Sequence, residues 1–165
     1  VNYLEIFGPH LMTMGVVAEL HHFGELGISD VVEVELARIK AGAASAEEEE
    51  IGLLLSDDYE RGHLILESEF EQSFPSEIER ETLLIADLIR IRNNWTELDD
   101  PPSEVEAALE AHALDERYGS LRLLAPMRRS DKTPNKYLER VDGAISTGLT
   151  RLRGISNQRE AGATE

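Results

Sequence analysis

The sequence predicts a mostly helical α+β protein: a winged helix-turn-helix-like module with a β-hairpin over residues 1–75, a helical module packed on it over 76–155, and a flexible tail over 156–165. Three observations carry this expectation. Apolar residues recur at helical spacing along most of the chain. Ser/Glu pairs of the capping-box kind stand at Ser45/Glu48, Ser76/Glu79 and Ser103/Glu106. Two short apolar runs, 51–55 and 63–67, flank a polar stretch that ends in Gly62.

Taken in order, Leu4, Phe7, Leu11, Met14 and Val17 share a helical face, and Pro9 sets the helix start near itself. Gly24 to Gly27 is a turn, after which Ser29 caps a helix over 30–41 that Gly42 ends. Ser45 opens a third, acidic helix. The runs Ile51–Leu55 and His63–Glu67 then read as the paired strands of a wing, with Phe70–Pro75 as a connector. Ser76 opens a helix to about Arg92 that is apolar around most of its circumference, as a central, buried helix is. A helix follows from Pro101-Pro102-Ser103 with Val105, Ala108, Leu109 and His112 inward, then a short strand within 118–125. The last helix starts at Thr133-Pro134, with Pro in its favoured first position, and runs to about Arg153, where Gly154 ends it. Within it, Gly143 and Gly148 each cost about 1 kcal/mol relative to Ala unless they pack closely.

Composition bounds the setting. The 165 residues are 41% hydrophobic and carry 24 Glu and 9 Asp against 13 Arg and 3 Lys, a net charge of −17. That is a folded chain with a surface suited to high salt, where charges are screened beyond a few ångströms. There is no cysteine, which rules out disulfides and thiolate chemistry. No apolar run approaches a membrane span, and Val1–His10 lacks the pattern of a signal peptide, so a cytoplasmic setting is expected. The charge is uneven: residues 1–120 hold 28 acidic and 7 basic side chains, residues 121–159 hold 3 and 9. An acidic body joined to a basic segment points to internal pairing or to two different partners.

Four carboxylates, Glu47, Glu48, Glu49 and Glu50, occupy the helix that in a winged helix enters the major groove. They would repel phosphates, so this face is expected to take a basic protein partner instead. Arg122, Arg128, Arg129, Lys132, Lys136 and Arg140 are the candidates for contact with nucleic acid, a partner or a second copy of the chain, with pairing to the acidic body as the plainer reading. Glu-x-x-His occurs at Glu19/His22 and Glu60/His63, the spacing of di-iron bundles. Chance supplies such pairs in so acidic a chain, and Gly62 argues against a helix at Glu60, so no metal site and no cofactor is assigned, and a carboxylate–histidine metal-binding helical protein stands as the alternative to a binding module. Neither a nucleophile elbow nor a phosphate-binding loop is present, and the reading leans away from an enzyme.

The segments "VVAELHHFGELGISDVVEVELARIKAG", "IGLLLSDDYERGHLILE" and "SFP" resemble a group of uncharacterised haloarchaeal proteins over about 60 residues. That resemblance implies a halophilic, winged-helix-like cytoplasmic protein and no activity. "GPHLMTMGVVAELHHF" and "YLERVDGAISTGL" are similar to helices of the third Psf subunit of the GINS replication complex, although that family's Leu-Pro-Leu-Trp motif is missing. The sequence as a whole therefore reads as a non-enzymatic binding or regulatory protein, acting through protein contacts and, by its basic segment, a candidate for DNA.

Overall fold

The computed structural model describes residues 1–54, 58–122 and 134–162, and all regular structure among them is helical. The helices are α1 (Tyr3–Phe7), α2 (Met14–His22), α3 (Ile28–Lys40), α4 (Ala46–Gly52), α5 (Tyr59–Gln72), α6 (Glu77–Asn93), α7 (Pro101–His112), α8 (Asp115–Tyr118) and α9 (Pro134–Gly162), with a 3-10 turn at Gly119–Leu121. The chain divides into two units: Val1–Glu79 with Leu152–Glu165, and Arg80–Arg151. The division falls inside α6 and inside α9.

In the first unit the capping box is formed as expected. The Ser45 hydroxyl accepts from the Glu48 amide at 3.3 Å, and the Glu48 carboxylate accepts from the Ser45 amide. Packing pairs α3 with α4 and α2 with α5. Tyr3, Leu11, Met12, Val16, Val17, Val31, Ile51 and Leu66 are buried. Pro9 lies in the link between α1 and α2, where Gly8 takes a left-handed φ of 76°. Gly42, at φ 66°, turns the chain after α3.

The expected β-hairpin, and with it the winged helix, is contradicted. Ile51 and Gly52 complete α4, and 63–67 lie inside the fourteen-residue α5. Two physical causes account for this. The second run holds only three consecutive apolar residues, set among Glu60, Arg61, Glu67 and Glu69, all good helix formers. Gly62, read as a turn residue, is buried within the helix: a Cβ there would lie 2.8 Å from Leu54 Cδ1 and 3.0 Å from Ile28 Cδ1. It is glycine because another element packs against it.

In the second unit, α6 buries Leu83, Leu84, Ile85, Leu88 and Ile91, as its all-round apolar pattern requires. Its start is capped by Ser76 and Glu79, which belong to the first unit's stretch of chain. In α7 the inward residues are Val105, Ala108, Leu109 and His112, as the spacing predicts. The cap, however, is Asp100, which accepts from the Ser103 amide at 3.3 Å and the Ser103 hydroxyl at 2.6 Å. The Ser103/Glu106 box does not form, and Glu106 pairs with Arg122 instead. Helix α8 and the 3-10 turn occupy 115–121, where the start of a strand was expected; 123–125 lie outside the described residues. Helix α9 passes through Gly154 to Gly162, so 156–162 is helix and not a frayed tail. No helix among the described residues is long and apolar enough to cross a membrane.

Candidate functional site

The charge divides between the two units differently from the way it divides along the sequence: the second unit is close to balanced, and Arg153 and Arg159 of the basic segment fall in the acidic first unit. The first holds 20 acidic and 5 basic side chains, the second 13 and 11.

The first unit's most distinctive surface lies on the packed pair α2 and α5. The His22 ring stacks on Phe70 with centroids 3.8 Å apart and planes 10° from parallel. Phe23 stands edge-on to both rings, at 5.2 and 6.0 Å. Phe23 is 67% exposed, a large apolar area for a side chain with no structural need of water. His22 Nδ1 lies 3.8 Å from the Glu67 carboxylate. Along α5, Glu60, Glu67 and Glu71 are exposed, and Leu64, between the first two, is 68% exposed. Aromatic edges set among carboxylates give this face an apolar anchor point with a negative rim.

Next to the aromatic trio, His21 Nδ1 faces the Leu26 carbonyl at 2.9 Å and must carry its proton there. In the neutral pair, His21 Nε2 then accepts from His63 Nδ1, 2.8 Å away. Both Glu-x-x-His pairs thus do lie on helices, and on helices that pack together. The structure nevertheless turns His63 towards His21, and among the described residues no group of three His, Asp or Glu side chains is placed to hold a metal.

The four consecutive glutamates divide by role. Glu48 is buried and forms the centre of a polar hub: it accepts from Arg38 Nε at 2.9 Å and from the Met14 amide at 3.1 Å. Arg38 in turn donates to the carbonyls of Pro9 (2.5 Å) and Ala43 (2.7 Å). One buried ion pair so fixes the ends of α2, α3 and α4. Glu50 pairs with Arg61 at 2.6 Å, while Glu47 and Glu49 are exposed. Glu35, fully buried beside this hub, has both carboxyl oxygens without a hydrogen-bond partner and Arg38 Nε at 3.5 Å. Burial, with the Glu48 charge adding to it and Arg38 opposing, pushes its pKa up to about 8. Burial also raises the carboxyl of Glu79, but hydrogen bonds from the Thr13 hydroxyl (2.5 Å) and from Ser76 outweigh it and hold the group below its usual range.

No family model, no curated protein and no solved structure matches the chain. Neither resemblance drawn from the sequence gains support from these comparisons, and the winged-helix element of the first is excluded by the all-helical structure of residues 46–52 and 59–72.

The basic candidates lie in the second unit, and those described have acidic or aromatic neighbours. Arg122 pairs with Glu106 at 2.6 Å and lies 3.8 Å from Glu110. Lys136 lies 4.0 Å from Glu139, and the Arg140 guanidinium sits 5.9 Å from the Tyr137 ring centroid. Arg128, Arg129 and Lys132 are outside the described residues. Burial, with the Glu106 charge second, pushes the Tyr137 phenol up to about 12, so it remains a donor, to the Leu121 carbonyl at 2.9 Å. These neighbours favour the internal-pairing reading of Arg122 over a contact with phosphates.

Sequence reasoning missed the aromatic trio because Phe70 read as part of the connector 70–75. The available signal was a helical reading of 59–72, which would have put Phe70 on the same helix as the carboxylates of Glu60 and Glu67.

Proposed function

We propose that this chain is a non-enzymatic binding protein of a salt-rich cytoplasm, and that the α2–α5 face of its acidic unit captures a basic protein segment carrying an apolar anchor. The observation that carries this reading is the exposed Phe23, held edge-on against His22 and Phe70 within a rim of carboxylates. Charge complementarity selects the partner's sign: 20 acidic against 5 basic side chains in this unit repel nucleic acid and attract Lys- and Arg-rich peptide. At molar salt the Debye length falls to about 3 Å, so charge alone gives little affinity and the aromatic contact must supply it.

The test is fluorescence anisotropy of a labelled Lys/Leu amphipathic peptide, with a Lys/Ser peptide of equal charge as control, titrated with the full chain from low to molar KCl. The Lys/Leu peptide is expected to stay bound at molar salt and the Lys/Ser peptide to be released. Phe23→Ser, at an exposed position, is expected to remove the salt-resistant part of binding. Equal salt sensitivity of both peptides, or no effect of Phe23→Ser, refutes the reading.

A further inference from the structure

The packed pair α2 and α5 carries a second feature, separate from the aromatic trio. His21, near the end of α2, and His63, in the second turn of α5, bring two imidazole nitrogens within 2.8 Å of each other, Nε2 of the first and Nδ1 of the second. The ring centroids are 4.8 Å apart and the planes 33° from parallel. In the neutral pair one proton lies between the two nitrogens. Without it, two lone pairs point into one gap.

Both rings are positioned from behind. His21 Nδ1 donates to the Leu26 carbonyl at 2.9 Å, which leaves Nε2 as the unprotonated nitrogen facing His63. An outer hydrogen bond of this kind, from the second ring nitrogen to a backbone carbonyl, is the usual support of a metal-ligating histidine. His63 is placed by the seat of α5. The buried Gly62 beside it admits Leu54 Cδ1 and Ile28 Cδ1, 2.8 and 3.0 Å from where a Cβ would lie, and this contact sets the rotation of the helix about its axis.

The spacing of the two nitrogens suits an ion. Metal–imidazole bonds of about 2.0–2.1 Å put two nitrogens about 2.9 Å apart at neighbouring corners of a tetragonal or octahedral site, and about 3.3 Å apart at a tetrahedral one. The 2.8 Å separation is close to the first. His63 is exposed, so an ion has access and water can fill its remaining positions. Glu60 and Glu67, three residues before His63 and four after it, lie on the same side of α5, are exposed, and line one open groove with it. Their charge raises the local concentration of cations. Entry of the ion requires no net loss of a proton: the His63 proton moves from Nδ1 to Nε2 and the ring stays neutral.

We infer that His21 Nε2 and His63 Nδ1 form a two-histidine site for a divalent transition-metal ion of the imidazole-preferring kind, such as Ni²⁺ or Zn²⁺, with water in the remaining positions. The ion takes the place of the shared proton and joins the end of α2 to α5. Mg²⁺, which takes oxygen ligands, is not its occupant. The site stands independently of what the neighbouring aromatic face captures.

Calorimetric titration of the untagged, chelator-treated full chain with NiCl₂ and, separately, with ZnCl₂ tests the site. Molar KCl and excess MgCl₂ suppress binding to the carboxylate surface. One saturable ion per chain is expected. His63→Ala, at an exposed position, and His21→Ala are each expected to weaken binding at least tenfold, with the fold checked by circular dichroism. The ion is also expected to raise the Tm of the natural chain and not that of His63→Ala, because it binds the folded form through both helices. Absence of saturable binding by both ions, binding that is unchanged in His63→Ala, or an equal rise in Tm for both proteins overturns the assignment.

Discussion

Glu35 offers the sharpest quantitative prediction. Its carboxyl is fully buried with no hydrogen-bond partner, and its pKa rises from an ordinary 4.5 to about 8 on folding, by burial first and the neighbouring Glu48 charge second. An acid that binds its proton more tightly in the folded chain favours folding at low pH. That contribution is full below about pH 4.5 and is lost as the pH rises towards 8, where the folded form also ionises. Over the whole window the loss comes to about 5 kcal/mol, and by pH 7 to about 3 kcal/mol. Glu35→Gln keeps the shape of the neutral acid and cannot ionise in the unfolded chain. Urea denaturation of both proteins at pH 5, 6, 7 and 8 in fixed salt, followed by far-UV circular dichroism, isolates this group because other titrations cancel in the difference. Glu35→Gln is predicted to gain on the natural chain by close to tenfold in the folding equilibrium per pH unit from pH 5 to 7, and by less from 7 to 8 as folded Glu35 itself ionises. A difference that is flat from pH 5 to 8 refutes the reasoning.

Further predictions concern the packing. Glu48→Gln removes the charge that Arg38 faces and is expected to cost about 3–5 kcal/mol, read as a fall in urea midpoint. Ala113 ends α7 in a left-handed conformation at φ 50°, so Ala113→Gly is expected to stabilise by about 1 kcal/mol in the same assay. Gly154→Ala, where a Cβ meets nothing within 4 Å, is expected to raise Tm, whereas Gly148→Ala is expected to lower it by forcing Ile85 and Tyr118 to move.

What could be read from the sequence was what neighbours in the chain decide. The Ser45 and Ser76 capping boxes, the inward face of α7 and the buried character of α6 all depend on residues three or four apart. The errors arose where distant packing chose between local options. At α7, Asp100 and Ser103 compete for one cap and Asp100 takes it. At Gly62, an absent side chain reads as a turn, while the structure uses it to admit Leu54 and Ile28. The cluster around the buried Glu81 draws on Arg117, Tyr118 and Arg151, which are too far from it in sequence to form any motif. Likewise, nothing local separates the buried Glu48 from the exposed Glu47 and Glu49; the position of Arg38 does.

The central claim is that the acidic α2–α5 face is the partner-binding surface, and amide shift mapping of the isotope-labelled chain tests it most directly. Titration with the Lys/Leu peptide at molar KCl is predicted to move the amides of His22, Phe23, Leu64, Glu67 and Phe70 and to leave those of 80–151 in place. Shifts spread evenly over the acidic residues, or concentrated within 80–151, would contradict the account.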